Sequence, residues 1–187
     1  MESSTNNNGM SMSADAVELT QIKLWRQRQG RYRFFVIALL MFGLTGIYQL
    51  MAPYAFLSWN FTTSLDGHLF FVVRRAEVVP VGGFVAFQPP SNPYYPKTLW
   101  FTKVVIAGEG DVISHTGRAL LINNVPVAYA QPSDSKGKRE LAMTPDGVIP
   151  KGYLFAWTPH PFSYDSRYAE IGLVPHEKII GRAYRLF

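Results

Sequence analysis

Hydrophobic residues are distributed along this chain in two regimes. From Phe34 to Leu57 no residue is charged, and the run opens Phe34-Phe35-Val36-Ile37-Ala38-Leu39-Leu40-Met41. Counted to Pro53 it holds 20 residues, the length at which a helix crosses about 30 Å of hydrocarbon. A core helix would be shorter or amphipathic, so the pattern predicts a transmembrane helix over 34–57. A cleavable signal peptide fits less well, because a long segment precedes the run and no small-x-small site follows it. Beyond Leu57 the apolar runs become short: His68 to Val73, Gly83 to Phe87, Leu99 to Ile106, Ala119 to Ile122, Tyr153 to Trp157 and Lys178 to Leu186. Clusters of Pro, Gly, Asn and Asp separate them, and no helical period lasts three turns. A mainly β domain is therefore expected over 58–187, an antiparallel sheet or small barrel with long loops and not a parallel βαβ layout.

The flanks of these regimes carry their own signals. Met1 to Ala14 is rich in Ser, Asn and Met and reads as a disordered tail. Asp15 to Arg33 reads as a helix with a basic end, with Ser13 or Asp15 as N-cap. Residues 1–33 thus form a tail and a basic flank. Gln88 to Lys97 holds too many prolines for a central strand and is expected to be an extended loop. Gln131 to Glu140 is polar and lysine-bearing, as the tip of a solvated hairpin would be.

Charge narrows the partners. Lys23, Arg26, Arg28, Arg31 and Arg33 precede the apolar run, leaving 13 of the 18 basic and 10 of the 13 acidic residues for the remainder. That balance is too even for a nucleic-acid surface. The same five cations put the N-terminus in the cytoplasm by the positive-inside rule, so that residues from Ser58 onward face the periplasm of a Gram-negative cell. The expected location is the bacterial inner membrane, crossed once, with membrane lipid around the helix. The chain has no cysteine, which excludes disulfides, a thiol nucleophile and thiolate metal sites.

Candidate chemistry begins at Trp59-Asn60-Phe61-Thr62-Thr63-Ser64-Leu65-Asp66-Gly67. A serine hydroxyl is a poor nucleophile at its free pKa and needs a base. Lys103, within Trp100-Phe101-Thr102-Lys103-Val104-Val105-Ile106, is the candidate base, because an ammonium in so apolar a strand is costly to desolvate and its pKa falls. A neutral amine needs no third residue to fix a tautomer, so a serine/lysine dyad is chemically sufficient, with no metal or cofactor. Near the C-terminus, Asp165 and Arg167 stand two apart, on one side of an extended segment, where carboxylate and guanidinium can pair. Gly108-Glu109-Gly110-Asp111 lacks the third glycine and the following helix of a dinucleotide loop and reads as a tight turn. His68, His115, His160 and His176 share no metal-ligand spacing.

Three boxes now stand in order: Thr62-Thr63-Ser64-Leu65, then Lys103-Val104-Val105-Ile106-Ala107-Gly108-Glu109-Gly110-Asp111, then Ser163-Tyr164-Asp165-Ser166-Arg167-Tyr168. After a membrane anchor, this set resembles the signal peptidase I superfamily of serine/lysine endopeptidases, and most closely the TraF-type peptidases of conjugative plasmids. The second box looks like that family's Lys-x-x-x-Gly-x-x-Gly-Asp run with one residue's difference in glycine spacing, and the third matches Ser-x-Asp-Ser-Arg. The resemblance implies a signal-peptidase-like β fold with Ser64 as nucleophile and Lys103 as general base. It implies further that Thr62 helps the Ser64 backbone N–H form an oxyanion hole, that Ser163 aligns the lysine amine, and that Asp165 and Arg167 brace their loop. The chain departs from the family at Asp66, in a region where relatives carry a proline two or three residues after the serine.

The implied substrate is prepilin or another exported peptide, cut or cyclised during conjugative pilus assembly, with other pilus-assembly proteins as neighbours. Two alternatives fit the same boxes. One is a non-catalytic assembly component that keeps the fold and binds prepilin. The other is a housekeeping signal peptidase, for which the chain is short and singly anchored.

Overall fold

The computed structural model describes residues 14–60, 64–74, 79–93, 95–96 and 98–187, with backbone alone at 14–20 and 22. The tail expected over Met1 to Ala14, except Ala14 itself, which begins a helix, the Ser13 cap and the Thr62 hydroxyl lie outside them. The chain divides into two units, Met1–Leu50 and Met51–Phe187.

The first unit is occupied by helix α1, Ala14–Met51. Asp15 lies inside this helix and so does not cap it, and the basic flank runs into the apolar run without a break. From Lys23 to Met51 it is, among the described residues, the one helix long and apolar enough to cross a membrane, and its described side chains are exposed throughout. This is compatible with a single-pass anchor whose apolar surface meets lipid. Thr45 satisfies its hydroxyl by donating to the Met41 carbonyl at 2.8 Å. The helix stops short of the predicted Leu57. Pro53 disfavours helical geometry at the residue before it, and Ala55–Trp59 forms strand β1.

The second unit is built from two antiparallel sheets. The larger comprises β1, β2 (Leu69–Arg74), β3 (Phe84–Phe87), β4 (Phe101–Ala107), β9 (Tyr153–Trp157), β10 (Val174–Pro175) and β11 (Ile179–Arg185). The smaller comprises β5 (Val112–Thr116), β6 (Ala119–Ile122), β7 (Val125–Tyr129) and β8 (Gly147–Val148). In the larger sheet the order is β1-β2-β11-β3-β4-β9-β10, so the last strand of the chain lies between β2 and β3. There Gly181 is required: a Cβ would stand 2.1 Å from the Val73 carbonyl oxygen. The six predicted apolar runs coincide with β2, β3, β4, β6, β9 and β11, and the fold is mainly β and antiparallel, as those runs indicate.

Two buried clusters flank β4 and β9. Val85, Phe87, Val105, Leu154, Ala156, Ile171 and Val174 form one of them. Ala107, Ile113, Leu120, Ile122, Ile149 and Phe155 join the two sheets. The stretch between β4 and β5 is the expected tight turn: the Gly108 N–H donates to the Asp111 carboxylate at 2.8 Å, and the Asp111 N–H donates back to the Gly108 carbonyl at 3.1 Å. Gln131 to Glu140 is a hairpin tip, closed by a bridge between Ser133 and Glu140.

Candidate active site

Strand periodicity explains the burial of Lys103. Alternation along β4 turns Lys103 and Val105 to one face, and both are buried; a bulge between Val105 and Ala107 then turns Ala107 to the other face. Lys103 stands opposite the buried Val85 in the β3–β4 register. Only 6% of the lysine remains exposed. Burial pulls its pKa down from 10.5 to about 8; Asp165 opposes that shift and Arg167 adds to it. An ammonium removed from water loses hydration that apolar neighbours cannot replace, so the neutral amine gains ground.

The segment after β9 supplies the partners. Lys103 Nζ donates to Ser163 Oγ at 2.6 Å. Arg167 Nε donates to the Asp165 carboxylate at 2.9 Å, with both side chains buried. The pair forms within a turn, where the Tyr168 N–H donates to the Asp165 carbonyl at 3.1 Å, and not along an extended segment. The guanidinium also donates to the carbonyls of Tyr129, His160 and Ser163. These bonds explain how a buried arginine is tolerated, because a desolvated ion needs both a counter-charge and partners for its remaining donors. Ser166 fastens the turn to β9: its N–H donates to the Ala156 carbonyl, and its Oγ accepts from the Ala156 N–H. Thr144 Oγ1 donates to the Ser166 carbonyl.

Ser64 sits in the loop that joins β1 to β2. The Asn60 N–H donates to the His68 carbonyl at 2.8 Å, and Asn60 Nδ2 donates to the Gly67 carbonyl at 3.1 Å. Gly67, at φ +133°, adopts a backbone conformation that residues with a side chain disfavour. Leu65 is buried with Phe70, Val72, Ala86 and Ala183, which anchors the residue after the serine. The Asp66 carboxylate is fully exposed and pairs with Arg185 at 3.2 Å.

One groove of about 290 Å³ brings Ser64, Lys103 and Ser163 together. Asp165 and Arg167 do not line it; they are buried beside Ser163. The walls add residues that the sequence pattern does not single out, chiefly Trp59, Tyr95, Trp100 and Tyr164. Trp100 Nε1 donates to Ser58 Oγ at 2.9 Å, tying one wall to β1. No local pattern marks these wall residues, since they converge from separate segments of the chain.

Similarity to known proteins runs through most of the chain. The conjugal transfer protein TraF of Agrobacterium fabrum is 30% identical over 145 residues, spanning 68% of this chain and 80% of that protein. A signal peptidase I from Enterococcus faecalis superposes with a TM-score of 0.35 at 23% identity, covering 55% of this chain and 94% of the other. The family model described as signal peptidase, peptidase S26, matches residues 28–187, which include the whole β unit and every residue of the groove. With its β architecture and its three boxes inside that match, this chain belongs to the signal peptidase S26 family.

Proposed function

We propose that this chain is a membrane-anchored serine/lysine endopeptidase that processes an exported pilin subunit, by hydrolysis or by cyclisation, during conjugative pilus assembly. In this reading α1 spans the inner membrane, the five cations before Phe34 stay in the cytoplasm, and the β unit works in the periplasm. The observation that carries it is the buried Lys103 amine, its pKa lowered to about 8 and its position tied to Ser163, in the same groove as Ser64.

The chemistry follows from that placement. The neutral Lys103 amine takes the Ser64 hydroxyl proton, and Ser64 Oγ forms a bond to the substrate carbonyl carbon. Collapse of the tetrahedral intermediate breaks the C–N bond, and Lys103 returns its proton to the leaving amine. Water, deprotonated by the same amine, then opens the acyl-serine ester; a free peptide amine in its place gives a new peptide bond. Thr62 and the Ser64 N–H serve the developing oxyanion, Ser163 aligns the amine, and Asp165 with Arg167 holds the Ser163 loop.

Co-expression of each variant with its prepilin, followed by pilin mass, tests the reading. Ser64→Ala and Lys103→Met each leave prepilin unprocessed. The double variant is no worse than either, because residues acting as one unit are not additive. Lys103→Arg also fails, since a guanidinium cannot act as a base near neutral pH. Normal processing by Ser64→Ala overturns the proposal. Lost pilus production with normal prepilin maturation favours the non-catalytic assembly component instead.

A further inference from the structure

A second hollow, of about 240 Å³, lies against the hairpin tip and shares its wall with the groove. Tyr95, Phe162 and Tyr164 line both. The rings of Tyr95, Tyr164 and Tyr168 stack in sequence, at 6.0 Å and 6.2 Å between centroids; Tyr168 is buried beneath, and Tyr95 and Tyr164 form the open aromatic floor. That floor is braced by the protein's own bonds. Tyr164 donates its hydroxyl to Glu170, Arg139 bonds the same carboxylate at 3.0 Å, and the guanidinium lies over the Tyr164 ring at 5.0 Å. The Tyr168 hydroxyl accepts from the Gln131 N–H at 3.2 Å, which ties the floor to the base of the hairpin.

Such a hollow is more than the dyad requires. Ser64, Lys103 and Ser163 all belong to the groove, and none of them lines the hollow. A polypeptide whose reacting carbonyl lies at Ser64 must continue out of the groove, and the shared wall offers a path across the rings. An extended chain advances about 3.3 Å per residue, so one ring-to-ring step of the stack takes roughly two residues. Stacked rings leave their edges toward the hollow, and an aromatic side chain can turn its face to such edges.

We propose that this hollow is a substrate subsite that selects an aromatic side chain about two to four residues from the reacting carbonyl, with Tyr95 and Tyr164 as the wall the substrate crosses. The subsite rests on the peptidase reading for its substrate, and binding measurements let the two fail separately. Ser135 is exposed at the hairpin tip and lines the hollow without touching the groove. Ser135→Trp therefore fills the subsite and leaves the dyad untouched.

The experiment uses the full chain in detergent, carrying Ser64→Ala so that nothing turns over. The probes are pilin-derived peptides with Phe or Ala placed at positions two to four residues on either side of the processing site. Fluorescence titration is expected to show at least roughly tenfold tighter binding for Phe at one of these positions, the scale of one well-packed aromatic contact. Ser135→Trp is expected to abolish that preference while leaving the affinity for the Ala peptide unchanged. Equal affinity for the Phe and Ala peptides at every position overturns the subsite. So does a preference that survives Ser135→Trp. Failure of the protein with Ser64 in place to process any of these peptides would instead remove the peptidase reading, and the binding preference would still decide the subsite.

Discussion

Lys103 and Ser163 stand 60 positions apart in the chain, yet the lysine amine donates to the serine hydroxyl at 2.6 Å in the interior of the fold. A long side chain ending in a freely rotating amine is thereby held in one place. Ser163→Ala is expected to keep the fold and lower kcat about 10- to 100-fold, the scale of one hydrogen bond to an ionisable group. KM for a peptide substrate should change little. An unaltered kcat would remove Ser163 from the site.

The lowered lysine pKa sets the direction of two pH effects. Activity should rise on the alkaline side through about pH 8 as the amine loses its proton. Stability should rise with pH as well. Below about pH 8 folded and unfolded chains both hold the proton, while between 8 and 10.5 only the unfolded chain does, so the native state gains across that window. Denaturant unfolding of the full chain in detergent, compared with Lys103→Met at about pH 7 and about pH 10.5, should show a relative gain on the order of 3 kcal/mol. A stability difference independent of pH would mean that the amine is not desolvated.

Arg167→Met should destabilise the protein by about 3 to 5 kcal/mol in the same denaturant measurement, because it leaves the Asp165 carboxylate buried without its counter-charge. Asp165→Asn acts on the dyad in the opposite sense to Arg167→Met. Asp165 raises the lysine pKa and Arg167 lowers it, so Asp165→Asn should move the alkaline limb of activity to lower pH. A limb that stays in place would show that the ion pair serves packing alone.

The proposed orientation places residues after Pro53 in the periplasm. A reporter active only in the periplasm should therefore work when fused after Phe187. Activity of a cytoplasm-only reporter at the same position would reverse the orientation and remove access to exported pilin.

What could be read along the chain was whatever depends on neighbours in sequence. The period of two from Phe101 to Val105 announces a strand and puts Lys103 in phase with Val105, so its burial follows from local pattern. That Asp165 and Arg167 pair was legible from their charges and nearness in sequence, but the turn that brings them together, in place of the expected extended segment, depends on carbonyls at Tyr129, His160 and Ser163. The charge-free run after Phe34 was legible as a membrane segment by length and composition. Its end was not, because Ala55–Trp59 is largely apolar like the helix before it and becomes a strand only by pairing with Leu69–Arg74. Nothing local distinguishes the two states of such a run; the partner strand does. The same holds for the site. Tyr95, Trp100 and Tyr164 come to one groove with Lys103 because β4 pairs between β3 and β9, and because the segment after β9 folds back onto β9 through Ser166. Those contacts join residues far apart in the chain, and their free energy comes from burial and hydrogen bonds that exist only once distant segments have met.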